Sequence, residues 1–367
     1  MKSYIKYPWF KPFKNNNYIK NSLPKIIKNN KATMGEYSKK LENELTKILK
    51  VKHVVLTTSG TSALMMATLA LGIGPGKKVI CTDMTWIATI NPSLICKSKI
   101  YLVDTLPKSQ KVCFKNLNNL IKKIKPDLVI LVHLSGENVY NKEFNYLKKK
   151  LDFNVIEDAS QSFFVKNQEQ KYCGTSYDIG CFSLSITKII NMVYGGFCVT
   201  NSSKLAENLI TIRNNGVNAE PENAKLELAN QPGLNLKPSD LHSCIGYSNL
   251  KHKKQIIKRV NKIYFTYAKK LKNTCIKLLD VGLKNMPTIY VLAFVKNRNK
   301  FYNFCRKKNL EIHLGIRGIH ETKIINPGLS FPNSKYISKN LVRLPCGPGY
   351  TVKEISKIIN LLNLYKK

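Results

Sequence analysis

Strand-like and helix-like segments alternate between about residues 40 and 200 of this chain. Short apolar runs predict strands at residues 53–58, 78–82, 100–104, 128–134, 154–157, 180–184 and 197–200. Helical patterns begin at Ser62 and Trp86 and cover residues 117–124. Because parallel neighbours need long crossover connections, this order predicts an α/β fold whose largely parallel sheet is covered by helices on both faces.

A long stretch rich in Gly, Pro and Asn, residues 214–238, separates this region from the rest of the chain. Loops of that length are uncommon and often carry function or an interface. Beyond it the pattern predicts helices at residues 240–272 and 299–308, a strand at 289–294 and a closing helix from Val352. A chain of 367 residues is long enough for two domains. We expect a large domain over residues 1–245, whose N-terminal segment packs on the other domain, and a small α+β domain over 246–367.

The chain is strongly basic, with 60 Lys and Arg against 22 Asp and Glu and a formal net charge of +38. Such a balance can indicate nucleic-acid binding. Only six of the 60 are arginines, however, and the basic residues are spread along the whole chain. Base readout and bidentate phosphate capture favour arginine. The pattern therefore favours solvated lysine surfaces that attract anions generally, and no specific nucleic-acid partner.

Targeting and metal-binding signals are weak in this sequence. No apolar run reaches the roughly 18 to 20 residues that cross a bilayer, so no membrane span is expected. The first residues lack the apolar core of a signal peptide. The ten cysteines show no CxxC pair and no metal-ligand spacing. Reduced thiols in a cytoplasmic protein without a metal site are the expectation.

The run Ser59-Gly60-Thr61-Ser62 joins a predicted strand to a predicted helix. Free backbone N–H groups at such a helix start face the carboxyl end of the strand, which is a geometry that binds phosphate. The alternative is an ordinary helix N-cap, for which Ser and Thr are also preferred.

Three more polar or aromatic side chains follow predicted strands. Asp158 places a carboxylate at the carboxyl end of a buried strand, where open α/β sheets bind ligands, and Gln161 lies three residues on. A carboxylate that caps a helix is the alternative for Asp158. Trp86, just beyond another strand, could lie flat against a planar cofactor or serve as a core aromatic.

Lys188 follows the strand at 180–184 and precedes Gly195-Gly196. An ordinary lysine is a hydrated cation and a poor nucleophile, but partial burial and suitable neighbours can make it form a Schiff base. A phosphate cradle, an aromatic ring, a carboxylate and this lysine occur in chain order at successive strand ends. Together they predict a cofactor-dependent active site around Lys188.

These residues resemble the motifs of the DegT/StrS family of pyridoxal-phosphate-dependent nucleotide-sugar aminotransferases. The matching runs are Ser59-Gly60-Thr61-Ser62-Ala63-Leu64, Thr85-Trp86-Ile87-Ala88-Thr89, Glu157-Asp158-Ala159-Ser160-Gln161 and Phe182-Ser183 with Lys188. Further similarity lies in Met34-Gly35, Leu41-Glu42, Gly233-Leu234-Asn235-Leu236, Ser239-Asp240-Leu241 and Leu344-Pro345. The resemblance implies fold type I, the aspartate-aminotransferase-like fold, with a mixed, mostly parallel sheet between helices and a smaller C-terminal α+β domain.

The resemblance also implies a role for each matching residue. Lys188 is expected to carry pyridoxal 5'-phosphate as a Schiff base and to shuttle a proton. Asp158 is expected to keep the pyridine nitrogen protonated. The other implied contacts are Gln161 with the ring hydroxyl, Trp86 with the ring face, and Gly60, Thr61 and Ser183 with the phosphate. Asn235 matches an asparagine that reaches the cofactor phosphate of the neighbouring subunit, which implies a homodimer with shared active sites.

The sequence departs from the family pattern at several points. Val193-Tyr194 stands where Gly-Glu is usual, Ser135 where an aromatic is common, and Lys237 near the usual arginine. Gly76-Lys77-Lys78-Val79 replaces an acidic Gly-Asp-Glu-Val. The first two departures could reshape the sugar pocket, and none removes a cofactor-binding group.

Four further residues are weaker substrate candidates. His133 follows a buried strand and could touch the sugar or be a structural histidine. His313, Arg317 and His320 lie in a segment similar to the family's substrate-closing region. Arg317 could bind a donor carboxylate or a diphosphate, or be simply solvated.

The resulting hypothesis is an aminotransferase that moves an amino group, with L-glutamate as the expected donor, to a keto group of a nucleotide-diphosphate deoxysugar. The product would enter amino-sugar or polysaccharide synthesis. Three alternatives stay open. Some family members are sugar dehydratases with histidine at the Schiff-base position, which Lys188 argues against. A regulatory or scaffold homologue could keep the fold and bind cofactor or sugar nucleotide, and net charge alone would fit a nucleic-acid-binding protein.

Overall fold

A seven-stranded sheet forms the centre of the larger part of the molecule. The structure, a computed structural model, describes residues 5–28, 32–217, 229–279, 289–325 and 328–366. The strands are β1 (His53–Thr57), β2 (Lys78–Thr82), β3 (Lys99–Val103), β4 (Leu128–Val132), β5 (Asn154–Asp158), β6 (Ile179–Ser183) and β7 (Gly196–Thr200). They are ordered β1-β7-β6-β5-β4-β2-β3, and β7 alone runs against its neighbours. The predicted mixed, mostly parallel sheet is confirmed.

Helices cover both faces of this sheet. They are α1 (Asn16–Lys28), α2 (Glu36–Leu49), α3 (Gly60–Ala70), α4 (Asn91–Ile95), α5 (Phe114–Ile124), α6 (Lys142–Leu151), α7 (Ser203–Arg213) and α8 (Asp240–Lys251). Successive strand residues enter different cores: Val79 and Cys81 pack with α3, whereas Ile80 packs with α5 and α6. Because side chains alternate along a strand, a strand buried on both faces reads as a continuous apolar run.

A second, smaller sheet follows in the C-terminal part. Its strands are β8 (Ile276–Leu278), β9 (Val291–Val295) and β10 (Leu341–Leu344), ordered β10-β9-β8 and antiparallel throughout. The accompanying helices are α9 (Lys253–Lys270), α10 (Arg298–Lys307), α11 (Pro332–Asn340) and α12 (Val352–Asn363). The proposed domain boundary after residue 245 lies within α8 and stays a prediction.

The N-terminal segment runs along this smaller unit. Tyr7 N–H donates to the Asn309 carbonyl at 3.2 Å, and Lys11 N–H donates to the Cys346 carbonyl at 3.0 Å. Trp9 N–H donates to the Glu311 carboxylate at 3.0 Å. The ring of Trp9 lies beside the second sheet, with its centroid 6.4 Å from that of Tyr290, just before β9.

Two helix predictions were wrong. The helix expected from Trp86 is a 3₁₀ turn at Ile87–Thr89 followed by the short α4, because Pro92 occupies the first turn of α4 and starts a new helix there. The helix expected over 240–272 is two helices that meet at His252. No Gly or Pro marks that break in the sequence. Residues 218–228 of the long loop lie outside the described ranges.

Within the described ranges, no helix combines the length and apolar character needed to cross a membrane. The same residues contain no group of three or more His, Cys, Asp and Glu placed to hold a metal ion. All ten cysteines are free thiols.

A buried carboxylate joins α8 to the start of α2. Asp240, at the first position of α8, accepts hydrogen bonds from the backbone N–H groups of Tyr37 (3.3 Å) and Ser38 (2.7 Å) and from the Ser38 hydroxyl (2.8 Å). Gly35 at the N-cap of α2 has no side chain to do this. Asp240 therefore caps α2 from another helix and compensates its dipole.

Asp240→Ala should lower the free energy of unfolding by about 2–4 kcal/mol, because two buried N–H groups and a hydroxyl lose their acceptor. Chemical denaturation measures this change. The exposed Asp152→Asn is the matched control and should stay within about 0.5 kcal/mol of the wild type. An Asp240→Ala midpoint equal to that of the control would contradict the capping role.

Candidate active site

A cavity of about 360 Å³ opens at the carboxyl ends of β1, β2, β4, β5 and β6 and faces the smaller sheet. Its lining includes the predicted cofactor residues Gly60, Thr61, Trp86, Asp158, Gln161, Ser183 and Lys188, together with His133 and His313. Asn235, Arg317 and His320 are not among its lining residues. Residues spread over more than 120 positions therefore meet in one place, as expected at the carboxyl edge of a parallel sheet.

The start of α3 lies unusually close to the end of β6. A Cβ atom at Gly60 would stand 2.8 Å from Cβ of Ser183, so only glycine fits there. The first backbone hydrogen bond of the helix runs from Ala63 N–H to the Ser59 carbonyl, which leaves the N–H groups of Gly60 and Thr61 ahead of it. These N–H groups and the Ser183 hydroxyl can hold a phosphate at the positive end of the helix dipole.

Asp158 supplies a buried carboxylate at the end of β5. Its oxygens accept hydrogen bonds from the Thr89 hydroxyl (2.7 Å) and the Ser160 N–H (3.1 Å), and the residue is only 6% exposed. No Lys, Arg or His of the described chain forms an ion pair with it. A buried carboxylate with only neutral partners is suited to a cationic ligand group such as a protonated pyridine nitrogen.

Gln161 is oriented by three donors. Its Oε1 atom accepts from the N–H (3.2 Å) and hydroxyl (3.3 Å) of Ser135 and from Nη2 of Arg343 (3.4 Å). These contacts assign Oε1 as the acceptor and leave the side-chain NH₂ group as a donor. Such a donor fits the hydroxyl of a pyridoxal ring. Asp158, Gln161 and the α3 N-terminus together therefore fit a phosphorylated pyridine cofactor.

Lys188 lies on the loop that joins β6 to the antiparallel β7. The loop is closed by Leu184 N–H to the Gly195 carbonyl and by Met192 N–H to the Leu184 carbonyl, both at 2.8 Å. Lys188 N–H donates to the Ser185 carbonyl at 3.0 Å, and the residue is half-buried. These bonds fix the backbone of the loop from which Lys188 lines the cavity.

Two aromatic side chains stand at the mouth of the cavity. Trp86 is 57% exposed and Tyr194 is 68% exposed, although both line the cavity. Trp86 is therefore not a core aromatic, and its ring is available to a flat ligand.

Two of the weaker candidates already have partners in the protein. His133 is buried; its Nε2 is 3.0 Å from the Glu157 carboxylate and its Nδ1 accepts from the Val139 N–H at 3.1 Å. His320 Nδ1 is 2.7 Å from the carboxylate of the fully buried Asp83. These contacts favour structural roles for both histidines, and their substrate contacts stay predictions.

The other two candidates differ in access to the cavity. His313 lines it, and burial together with the charge of Arg343 lowers the pKa of His313 to about 4, so its imidazole is neutral at pH 7. Arg317 is exposed and borders a neighbouring cavity of about 520 Å³ that it shares with Trp86. Asn235 is exposed and forms a bridge with Asn214, away from the cavity of its own chain.

Sequence reasoning missed the wall that the smaller unit contributes. It consists of Trp9, Tyr290, Ile316 and Arg343 beside His313. One signal could have found part of it: arginine is rare in this lysine-rich chain, and Arg343 precedes the matched Leu344-Pro345 directly. An arginine in a chain whose basic residues are mostly lysine points to a position where the planar fork matters.

The chain is similar to known proteins over almost its whole length. Residues 14–363 match the DegT/DnrJ/EryC1/StrS aminotransferase family. GDP-perosamine synthase of Vibrio cholerae is 24% identical over 343 residues, which cover 91% of this chain and 92% of that protein.

Two solved structures share the fold. Helicobacter pylori PseC, an aminotransferase of pseudoaminic acid biosynthesis, has a TM-score of 0.88 at 19% identity, covering 97% of this chain and 98% of the other. Escherichia coli GDP-4-keto-6-deoxy-D-mannose-3-dehydratase with bound hydrated PLP has a TM-score of 0.87 at 19% identity, covering 98% and 99%. The predicted type I fold is thereby confirmed.

The family match confirms the resemblance seen in the motifs, and with it an enzyme class that uses pyridoxal phosphate. It spans nearly the whole chain, including both the strand ends around Lys188 and the smaller unit. The chain belongs to the DegT/DnrJ/EryC1/StrS aminotransferase family.

Proposed function

We propose that this enzyme transfers an amino group from L-glutamate to a keto group of a nucleotide-diphosphate deoxysugar, with pyridoxal phosphate held by Lys188. One observation supports this most directly. The cavity is lined by Lys188, by a buried carboxylate whose described partners are neutral, by an oriented amide and by a helix N-terminus, and these are the groups proposed to hold the cofactor. The family membership and the similarity to GDP-perosamine synthase support the substrate class.

Each residue has a distinct task in this proposal. When bound, pyridoxal phosphate supplies an electron sink for breaking the C–H bond beside the transferred nitrogen. Lys188 holds the cofactor and, once released, moves the proton at that carbon. Asp158 stabilises positive charge at the pyridine nitrogen, and Gln161 donates to the ring hydroxyl.

The remaining cofactor contacts fix position. Gly60, Thr61 and Ser183 anchor the phosphate, and Trp86 covers one face of the ring. The exposed Asn235 is proposed to reach the phosphate bound in a neighbouring copy, so that the working unit is a homodimer. The basic surface would attract both anionic substrates before they bind.

Replacing Lys188 should abolish the visible absorption of the bound cofactor. The purified enzyme is expected to show the visible absorption of lysine-bound pyridoxal, and Lys188→Ala should lose it because Lys188 is the lysine among the described residues that line the cavity. Amino transfer should fall by roughly 10³-fold. Lys204→Ala, an exposed lysine on α7, is the control and should retain both properties. A colourless wild type to which added cofactor does not bind would refute the proposal.

Neutralising the carboxylate of Asp158 should slow turnover even though Lys188 is still present. Asp158→Asn should reduce kcat by roughly 100-fold or more, since the ring nitrogen loses its buried counter-charge. Thr89→Val, which removes the hydroxyl that bonds Asp158 and Thr85 but leaves the Asp158 charge in place, should cost about tenfold. Steady-state kinetics with saturating cofactor measures kcat for both variants and distinguishes these two effects. Equal rates for Asp158→Asn and the wild type would rule out this role.

A panel of nucleotide keto-sugars tests the substrate class and the alternatives. Incubation with L-glutamate and detection by mass spectrometry should reveal an aminated sugar with conversion of glutamate to 2-oxoglutarate. Loss of water without amination would instead indicate a dehydratase. Cofactor binding without turnover of any pair would indicate a regulatory or scaffold homologue.

A further inference from the structure

The guanidinium of Arg343 is buried in the wall of the active-site cavity without an anionic partner in the described chain. Arg343 lies on β10, is 6% exposed and lines the cavity. Among the described residues its Nε atom has no hydrogen-bond partner, a feature that it shares with Arg213 and Arg298. Its contacts with side chains are a 3.4 Å hydrogen bond from Nη2 to Gln161 Oε1 and a position 4.3 Å above the ring of Tyr290.

A second buried arginine, Arg213, has the kind of carboxylate partner that Arg343 lacks among the described residues. Arg213, 6% exposed, forms an ion pair with Glu42 at 3.2 Å and donates to the Leu56 carbonyl at 3.1 Å. Arg343 has no such carboxylate among the described residues. Burial lowers the pKa of both guanidinium groups. Arginine stays charged in proteins, and an unpaired buried charge is costly. An anion that enters the cavity would remove that cost.

An anion bound by Arg343 would lie close to the proposed cofactor residues. Gln161, which Arg343 contacts, lies three residues after Asp158 at the end of β5. Tyr290, under the guanidinium, donates its hydroxyl to the Thr187 carbonyl at 3.3 Å, directly before Lys188. Arg343 is thus connected on one side to the residue assigned to the cofactor ring hydroxyl and on the other to the loop that carries the lysine.

Two anionic substrate groups are candidates for the partner of Arg343: the carboxylate of the amino donor and the diphosphate of the sugar nucleotide. In an amino acid, the α-carboxylate is attached to the carbon that carries the transferred nitrogen, so it must lie close to Lys188. In a sugar nucleotide, the diphosphate sits on the anomeric carbon and the sugar ring separates it from the keto carbon. A deep guanidinium next to the lysine loop therefore matches the carboxylate.

We propose that Arg343 binds the α-carboxylate of the amino-acid donor through its planar fork. This inference rests on the proposed function and adds a substrate-binding residue to it. Two parallel N–H···O bonds from a desolvated guanidinium supply both affinity and orientation. The neighbouring His313, neutral at pH 7, adds no competing charge.

The test measures binding to the cofactor-loaded enzyme with α-methyl-L-glutamate, which lacks the α-hydrogen and does not proceed through proton removal. Calorimetry should show about 100-fold weaker binding to Arg343→Gln than to the wild type. Arg306→Gln, an exposed arginine stacked on Tyr302, is the control and should bind as the wild type does. GDP and UDP should bind Arg343→Gln within about threefold of the wild type.

A change in the ligand completes the test. The α-carboxamide of α-methyl-L-glutamate should bind the wild type weakly and lose little further affinity in Arg343→Gln, because guanidinium and carboxylate act as one pair. Equal loss for both ligands would mean that the arginine acts indirectly and would overturn the proposal.

Two further outcomes would also overturn it. Unchanged binding of α-methyl-L-glutamate is one, and selective loss of GDP and UDP binding is the other, because the guanidinium would then serve the diphosphate. Visible absorption of Arg343→Gln shows that its cofactor site is intact. If that variant lacks the absorption, Arg343→Lys replaces it in the test, because lysine keeps the charge without the planar fork. Arg343→Lys should bind α-methyl-L-glutamate at least tenfold more weakly than the wild type does. A wild type without the chromophore defeats the proposed function itself.

Discussion

The close approach of α3 to the ends of β6 and β7 is the constraint on which the active-site geometry depends. No side chain fits at Gly60, where a Cβ atom would meet Ser183 at 2.8 Å, or at Gly196, where it would meet the Ser59 carbonyl at 2.4 Å. Glycine at both positions lets the helix N-terminus reach the strand ends. The helix N-terminus proposed to hold the phosphate is thereby fixed relative to the end of β6, from which the loop that carries Lys188 begins.

Local sequence patterns predicted one half of the site well. Gly60, Trp86, Asp158 and Lys188 each follow a strand whose apolar run is visible in the sequence, and parallel strands bring their carboxyl ends to one edge. The other half is built from positions such as Trp9 and Arg343, which no local pattern connects. The same limit applies to His133 and His320, since their carboxylate partners Glu157 and Asp83 become visible only when the chain is folded.

The departures from the family pattern acquire physical meaning in the structure. Ser135, in place of a common aromatic, donates through its N–H and hydroxyl to Gln161 and so helps to orient the residue assigned to the ring hydroxyl. Val193, in place of a glycine, has a φ of 67°, a left-handed conformation that is strained for a β-branched residue. Tyr194 beside it stands exposed at the mouth of the cavity. Tyr194 thus lies at the entrance, where a sugar substrate would be selected.

The two walls of the cavity are held together by polar contacts that are specific in geometry. Asp83, at the end of β2, accepts from the N–H of His320 at 2.8 Å and contacts its imidazole. Asp104, after β3, accepts from the N–H groups of Asn333 (3.0 Å) and Ser334 (2.9 Å) at the start of α11. Apolar contacts alone would allow one unit to slide on the other, whereas capping carboxylates require a particular register. The wall that carries Arg343 is therefore positioned from the same edge of the sheet that carries the proposed cofactor residues.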